Sequence, residues 1–268
     1  MKRDYQQQII LKDLSQFSVI YLVPLADWHI GDRNVATDII QGYIGWIAER
    51  DNAFTILNGD LINAATKESA AELYDDLVTS DQTYERVRDL CQPIRNKILM
   101  ITRGNHEEAI YKKVGADYTA RLAHDLGDVP YKPDGGMLGV RLGTNVKGMC
   151  YIYATHGWGG ARTIGAKVKK AQDLMQVADV HIYVLSHDHT QNINRGNTLA
   201  PPAAKVQFSK PMYCTVRRKL FINTGGFIRY GGYIQRRGYT PQDLGTPRIR
   251  IELKRDAHTT HIDLHASI

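Results

Sequence analysis

Five short blocks rich in His, Asp and Asn each follow directly on an apolar run, and no other feature constrains this chain as tightly. They are Asp27-Trp28-His29, Gly59-Asp60, Gly104-Asn105-His106-Glu107, His156-Gly157 and Ser186-His187-Asp188-His189. A packed core has no need of such side chains at the ends of so many strands. A site holding two metal ions does, and eight side chains of these blocks, Asp27, His29, Asp60, Asn105, His106, His156, His187 and His189, make up the candidate constellation.

The runs before the blocks read as strands: 17–23, 54–57, 97–101, 150–153 and 180–185, with a sixth at 219–223 leading into Gly225-Gly226. They are almost continuously apolar, the pattern of strands buried on both faces. Helical periodicity fills the gaps. The segment 37–50 carries Ile39, Ile40, Ile44 and Ile47, with Thr37 or Asp38 to cap it. The stretch 70–90 reads as two helices broken near Thr79, the second capped by Ser80 or Asp81 and stopped by Pro93. A helix over 108–126 has a weak point at Gly115, and 164–178 is amphipathic with Val168, Leu174, Met175 and Val177 inward. Strands alternating with helices predict a layered α/β fold.

In an open α/β sheet, ligands bind outside the carboxyl ends of the strands. Asp27 and His29 are two residues apart, as are His187 and His189, and at a strand's end that spacing would point both side chains of a pair the same way. Gly59 permits a sharp turn before Asp60.

Three regions depart from the rhythm. Residues 135–145 look like strands joined by tight turns. The stretch 192–211, with Pro201, Pro202 and Pro211, reads as an extended surface loop. The tail, 248–252 and 261–265, alternates polar and apolar like a terminal hairpin. With no repeat and no linker, a single domain over 1–268 is expected.

Composition narrows the class further. Hydrophobic residues at 43% and charged residues at 23% exclude wholesale disorder. No apolar run approaches the roughly 18 residues of a membrane span, and Ile9-Ile10-Leu11 is cut off by Lys12-Asp13 before it could form a signal core, so a cytoplasmic protein is expected. Cys91, Cys150 and Cys214 form no CxxC and read as free buried thiols. The net charge of +6 permits a polyanionic partner without demanding one. Basic clusters lie at Lys167, Lys169 and Lys170, at 217–219, at Arg236 and Arg237, and across 248–255.

The ordered set Asp-x-His, Gly-Asp-x-x-Asn, Gly-Asn-His-Glu, His-Gly, His-x-His resembles the calcineurin-like metallophosphoesterase superfamily, over residues 27 to 189. The resemblance implies a four-layer α/β fold, a β-sandwich of two mixed sheets flanked by helices, in which 138–142, 149–154 and the C-terminal tail would form a second sheet. It implies that Asp27, His29 and His189 hold one metal, that Asn105, His156 and His187 hold another, and that Asp60 bridges both. His106 would lie beside the ions without binding one, there to protonate the leaving group or to steady the phosphoryl oxygens, and Asp188 would point away. Arg103 and Arg33 are candidates to fork onto phosphate oxygens. Oxygen and imidazole ligands suit two divalent ions, Mn²⁺ first, with Fe²⁺ or Zn²⁺ as alternatives. Such a pair can acidify a bridging water and clamp phosphoryl oxygens.

Two departures from the family pattern matter. Ser186 stands where a Gly is usual, and Gly59-Asp60-Leu61-Ile62-Asn63 lacks the Asp-Arg pair of the phosphoprotein phosphatases. The second, with His187-x-His189, points to the phosphodiesterase side. Asp27-Trp28-His29-Ile30-Gly31 resembles the opening motif of the Mre11/SbcD-type DNA exonucleases, and phage and bacterial phosphodiesterases are the other similar branch. Phe227, Tyr230, Tyr233 and Tyr239 are interleaved with Arg229, Arg236 and Arg237, a mixture suited to stacking on unpaired bases. A nuclease acting on DNA is therefore the leading expectation, and any ATPase partner would be a separate chain. The alternatives are an enzyme for small or cyclic nucleotides or for phosphomonoesters, with 192–211 as a lid, and a non-catalytic scaffold, which would be expected to lack ligands that this chain retains.

Overall fold

The apolar runs are buried on both faces because they form two sheets that stack on each other and are covered outside by helices. The structure is a computed structural model; it describes residues 8–63, 79–161, 163–201, 211–232, 240–255 and 260–268, with 208, 235 and 238. The strands, in chain order, are β1 (Ile10–Asp13), β2 (Val19–Leu25), β3 (Ala53–Asn58), β4 (Ile98–Thr102), β5 (Gly136–Leu142), β6 (Gly148–Thr155), β7 (Ile182–Leu185), β8 (Gln191–Ala200), β9 (Thr215–Thr224), β10 (Arg248–Arg255) and β11 (Thr260–Ser267). One sheet has the order β11-β10-β2-β3-β4 and the other β1-β5-β6-β7-β9-β8. Both are mixed: β2, β3 and β4 run parallel, as do β6, β7 and β9, while β10 and β8 pair antiparallel.

Alternation along each strand divides the core. Ile20 and Leu22 of β2 meet Val140, Ile152 and Ile222 between the sheets. Val23 and Leu25 face outward onto the helices α1 (Thr37–Ala48), α2 (Ser80–Cys91), α3 (Asn105–Val114) and α4 (Tyr118–Asp125), through Ile44, Val87, Ile110 and Leu122. On the far side, α5 (Ile164–Asp173) covers Tyr183 and Phe221 with Ala171, and Leu174 extends that contact just beyond the helix. The result is the four-layer sandwich expected from the sequence.

Several local expectations need correction. The tail is a hairpin, but it extends the sheet of β2 rather than that of β5, because Ile249 and Ile251 pair beside Leu22 and Ile20. The stretch beginning at 192 is mostly strand: β8 pairs over its whole length with β9, and as an edge strand its polar side chains stay in water, which hides the pairing in the sequence. Of the lid expected over 192–211, residues 192–200 are strand, and 202–207 with 209 and 210 lie outside the described residues. Residues 136–142 form one continuous strand rather than several.

Among the helices, 108–126 is split at Gly115, which takes φ +71° and ends α3. The cap of α1 is Ala36, without a side-chain bond, while Asp38 pairs with Arg229. The cap of α2 is Thr79, in a reciprocal capping box with Gln82, and the α-helix ends at Cys91 ahead of Pro93, as expected, with a 3-10 turn following over Gln92–Lys97. The helical expectation for 70–78 lies outside the described residues. In α5 the buried positions are Lys167 and Ala171, and Val177 is exposed. Cys91 and Cys150 are buried as expected, but Cys214 is exposed. Among the described residues, no helix is long and apolar enough to cross a membrane.

Candidate metal centre

The parallel strands of both sheets end at the same rim, and that common end collects the five blocks. Asn58, the last residue of β3, ties the rim together. Its amide donates to the Thr155 carbonyl at 2.8 Å and to the Ser186 hydroxyl at 2.7 Å, and it accepts from the Thr102 hydroxyl at 2.9 Å. One buried side chain thus joins the ends of β3, β4, β6 and β7. Ser186 uses its hydroxyl here and has no left-handed backbone, so its replacement of a usual Gly is harmless.

Beyond the strands the backbone turns in an unusual way. Asp27, His29, Asp60, His187 and His189 all have φ between 49° and 72°, and Asp128 is the only other non-glycine residue with positive φ among those described. Left-handed backbone costs an L-residue roughly 1–2 kcal/mol, and such strain collects at functional sites. The convergence of Asp27 with His29, and of His187 with His189, therefore comes from left-handed turns after the strands have ended, not from strand alternation as the spacing suggested. The turn at Gly59 (φ +84°) presses against Gly104, where a Cβ would lie 2.1 Å from the Asp60 carboxylate.

Three overlapping groups result: Asp27, His29 and His189; His29, Asp60 and His106; Asp60, His156 and His187. In the first, His29 Nε2 and His189 Nε2 face each other at 3.2 Å, and His189 Nε2 lies 3.4 Å from Asp27 Oδ1. In the last, His156 Nε2 lies 3.2 Å from both Asp60 Oδ2 and Asn105 Oδ1, and His187 Nδ1 lies 2.7 Å from Asn105 Oδ1. Asp60 Oδ2 is also 3.8 Å from His29 Nε2, so it reaches both groups. All seven expected ligands are brought together, and His106 stands beside them with its ring centroid 4.5 Å from that of His29.

The donor set fits cations. The Asn58 carbonyl, 2.8 Å from His156 Nδ1, requires a proton on that nitrogen, and the Gly159 carbonyl, 2.7 Å from His187 Nε2, requires one there. Were both rings neutral, as binding a cation requires, their other nitrogens would turn lone pairs toward Asp60 and Asn105, which are acceptors too. Asp27 Oδ1 is buried without a hydrogen-bond partner. Acceptors converging out of water are stabilised by positive charge. The titration behaviour has the same origin. Burial, which opposes a charged imidazole, is overcome at His156 by Asp60 and Asp27, holding it protonated up to about 10. Burial lowers His189 to about 3 and also lowers His29 and His187, and it raises Asp27. Asp60 is held low because His156 and His106 outweigh its burial.

Two supporting residues carried no signal strong enough to be assigned a role from sequence. One is Asn58. The other is Glu107, 3% exposed, whose oxygens accept from the backbone N–H groups of Leu61 at 2.7 Å and of Asp60, Ile62 and Gly104 at 3.0 Å. It locks the Asp60 turn to the start of α3, where the His106 N–H donates to Asp60 Oδ1 at 2.9 Å. Burial and the neighbouring Asp60 raise its pKa against the pull of those N–H groups. The hint in the sequence was its place three residues after Gly104, as in a capping box. Asp188 points away, as expected, onto Lys170 at 3.1 Å.

Other expected residues are placed differently. Arg103 is held by Glu108 and by Asp117 at 3.1 Å and lies over the Tyr111 ring, so its guanidinium is committed to an internal network rather than to phosphate. Arg33 lines a cleft of about 800 Å³ between α1 and α2, outside all three groups. Much of the basic clusters is engaged in ion pairs: Lys169 with Asp173, Arg217 and Lys219 with Asp179, Arg218 and Lys254 with Asp263, Arg250 with Glu252. Phe227 is fully buried edge-on to Tyr43 and cannot stack on a base. Tyr230 is half exposed beside His189, whereas Tyr233, Arg236, Arg237 and Tyr239 lie outside the described residues.

Residues 23–208 match the family described as calcineurin-like phosphoesterase. No curated protein matches the chain in sequence. Among solved structures it is similar to a Vps29 double mutant from Entamoeba histolytica, at 12% identity over 93% of this chain and 100% of that one, with a TM-score of 0.41. Vacuolar Protein Sorting 29 from Cryptosporidium parvum shows 13% identity over 93% and 98% of the two chains, at 0.38. The NAD nucleotidase of Haemophilus influenzae shows 9% identity over 92% of this chain and 49% of that one, at 0.40.

Proposed function

The chain belongs to the calcineurin-like phosphoesterase family, and on that footing we propose that it hydrolyses phosphodiesters at a dinuclear metal centre. The observation that carries this reading is the pair of acceptor groups that share Asp60. Asp27, His29 and His189 would hold one ion, Asn105, His156 and His187 the other, and the Asp60 carboxylate both. Two bound divalent cations supply Lewis acidity and an activated water. Oxygen and imidazole donors favour Mn²⁺, Fe²⁺ or Zn²⁺ over a thiolate-selecting ion, with Mn²⁺ proposed first.

The chain's own residues do the rest. Glu107 and the His106 N–H fix the Asp60 carboxylate. The carbonyls of Asn58 and Gly159 hold His156 and His187 in the tautomers that turn a lone pair inward. The half-exposed His106 imidazole is placed to give a proton to the leaving oxygen.

DNA is the substrate proposed first. The support is the net charge of +6 and a mouth at which Asn105 is exposed and His106 and His187 are half exposed. A small nucleotide diester is the second reading, favoured by a cleft of about 380 Å³ beside Asn105 and His156. The test is a panel with Mn²⁺-loaded protein: labelled single- and double-stranded DNA, bis(p-nitrophenyl) phosphate, a cyclic nucleotide and p-nitrophenyl phosphate. Cleavage of diesters including DNA is expected. Intact DNA with cleaved small diesters would remove the nuclease reading and leave the chemistry. Cleavage of the monoester alone would overturn the diesterase reading.

A further inference from the structure

The cleft beside the second ligand group is more than an entrance. It is lined by Asn105 and His156 of that group together with Trp158, Tyr153, Pro133 and Val177. Trp158 is 55% exposed, whereas Trp28 is fully buried and Trp46 packs against the core. Val177, against its helical pattern, is 62% exposed in the same cleft. An indole left open to water next to a chemical site is a binding surface in waiting.

The Trp158 loop is held on both sides. Its carbonyl accepts from Lys170 Nζ at 2.7 Å, and Lys170 also grips the Asp188 carboxylate at 3.1 Å. The next carbonyl, that of Gly159, accepts from His187 Nε2 at 2.7 Å. The backbone that carries the indole is thereby tied to His187 and Asp188.

Charge selects what the cleft can take. The carboxylates of Glu108 and Asp134 line it, and the one guanidinium there, Arg103, is already paired with Glu108 and Asp117. A second phosphate would be repelled, while an uncharged flat ring would lose little on entering and would find an aromatic face. In a nucleotide diester that ring is the base. We propose that this cleft seats one nucleobase of the substrate against Trp158 while the adjoining phosphate lies at Asp60. The inference rests on the phosphodiesterase reading and specifies the part of the substrate that the site recognises.

The dinucleotide TpT and its two analogues lacking one thymine separate the claims. With Mn²⁺-loaded wild type, loss of one of the two bases should lower kcat/KM at least about fivefold, the scale of a single base–aromatic stack. Trp158→Ala should lower kcat/KM for TpT by a similar factor and be indifferent to removal of that base, and Trp158→Phe should restore most of the loss. Equal effects of Trp158→Ala on TpT and on both analogues, or no effect on any, would overturn the proposal. If wild type cleaves no diester, the phosphodiesterase reading fails, and metal-free fluorescence decides the cleft. Saturable quenching by thymidine that disappears in Trp158→Phe would uphold a base site, and its absence in wild type would refute one.

Discussion

Replacing Glu107 by Gln tests whether the site is built by the backbone network as described. The side chain keeps its shape, so packing is unchanged. In the wild type, Oε1 accepts from Leu61 and Ile62 and Oε2 from Asp60 and Gly104, so every bond needs an accepting oxygen. An amide preserves one oxygen and sets its NH₂ against two buried N–H donors. Hydrogen bonds to a charged group are worth about 1.5–3 kcal/mol each, so losing two should cost about 3–6 kcal/mol. For a chain of this size that is a fall in Tm of roughly 6–24 °C. The Asp60 turn would also loosen, weakening metal affinity by about 10–100-fold, the usual effect of losing a group that orients a ligand. Calorimetric melting of metal-free protein and metal titration read the two effects separately. A Tm within about 2 °C of wild type and unchanged metal affinity would refute the argument that Glu107 holds the site together.

Three further outcomes are expected. Asp60→Ala should abolish metal binding and activity together, since one carboxylate reaches both groups; a variant retaining two equivalents of metal would contradict that role. His106→Ala should slow turnover about 10²–10⁴-fold, the range for a lost general acid, with metal content unchanged, and a matching loss of metal would show that this histidine is a ligand. A maleimide at pH 8 should modify Cys214 alone in the native protein, because burial raises the Cys91 and Cys150 thiols far above their ordinary range and closes them to reagent; rapid modification of a second thiol without unfolding would show that the core is open.

The residues of the candidate site were legible in the sequence because ligand-type side chains after buried strands have no packing role that would explain them. Asp27, His29, Asp60, Asn105, His156, His187 and His189 meet as the resemblance implied. Their manner of meeting was not legible, since left-handed backbone at Asp or His leaves no pattern in a sequence. Glu107 and Asn58 were hidden for a related reason: their partners are backbone groups, which every residue offers. The basic clusters misled because Asp179 and Asp263, which pair with several of their cations, are distant along the chain from most of them. The strand β8 was hidden by its place at a sheet edge, where polar residues serve as well as apolar ones.

The most direct test of the account is anomalous diffraction from a crystal grown with Mn²⁺. Two peaks are expected on either side of the Asp60 carboxylate, roughly 3.5–4 Å apart, one among Asp27, His29 and His189 and the other among Asn105, His156 and His187. A single peak, or none at this rim under saturating Mn²⁺, would contradict it.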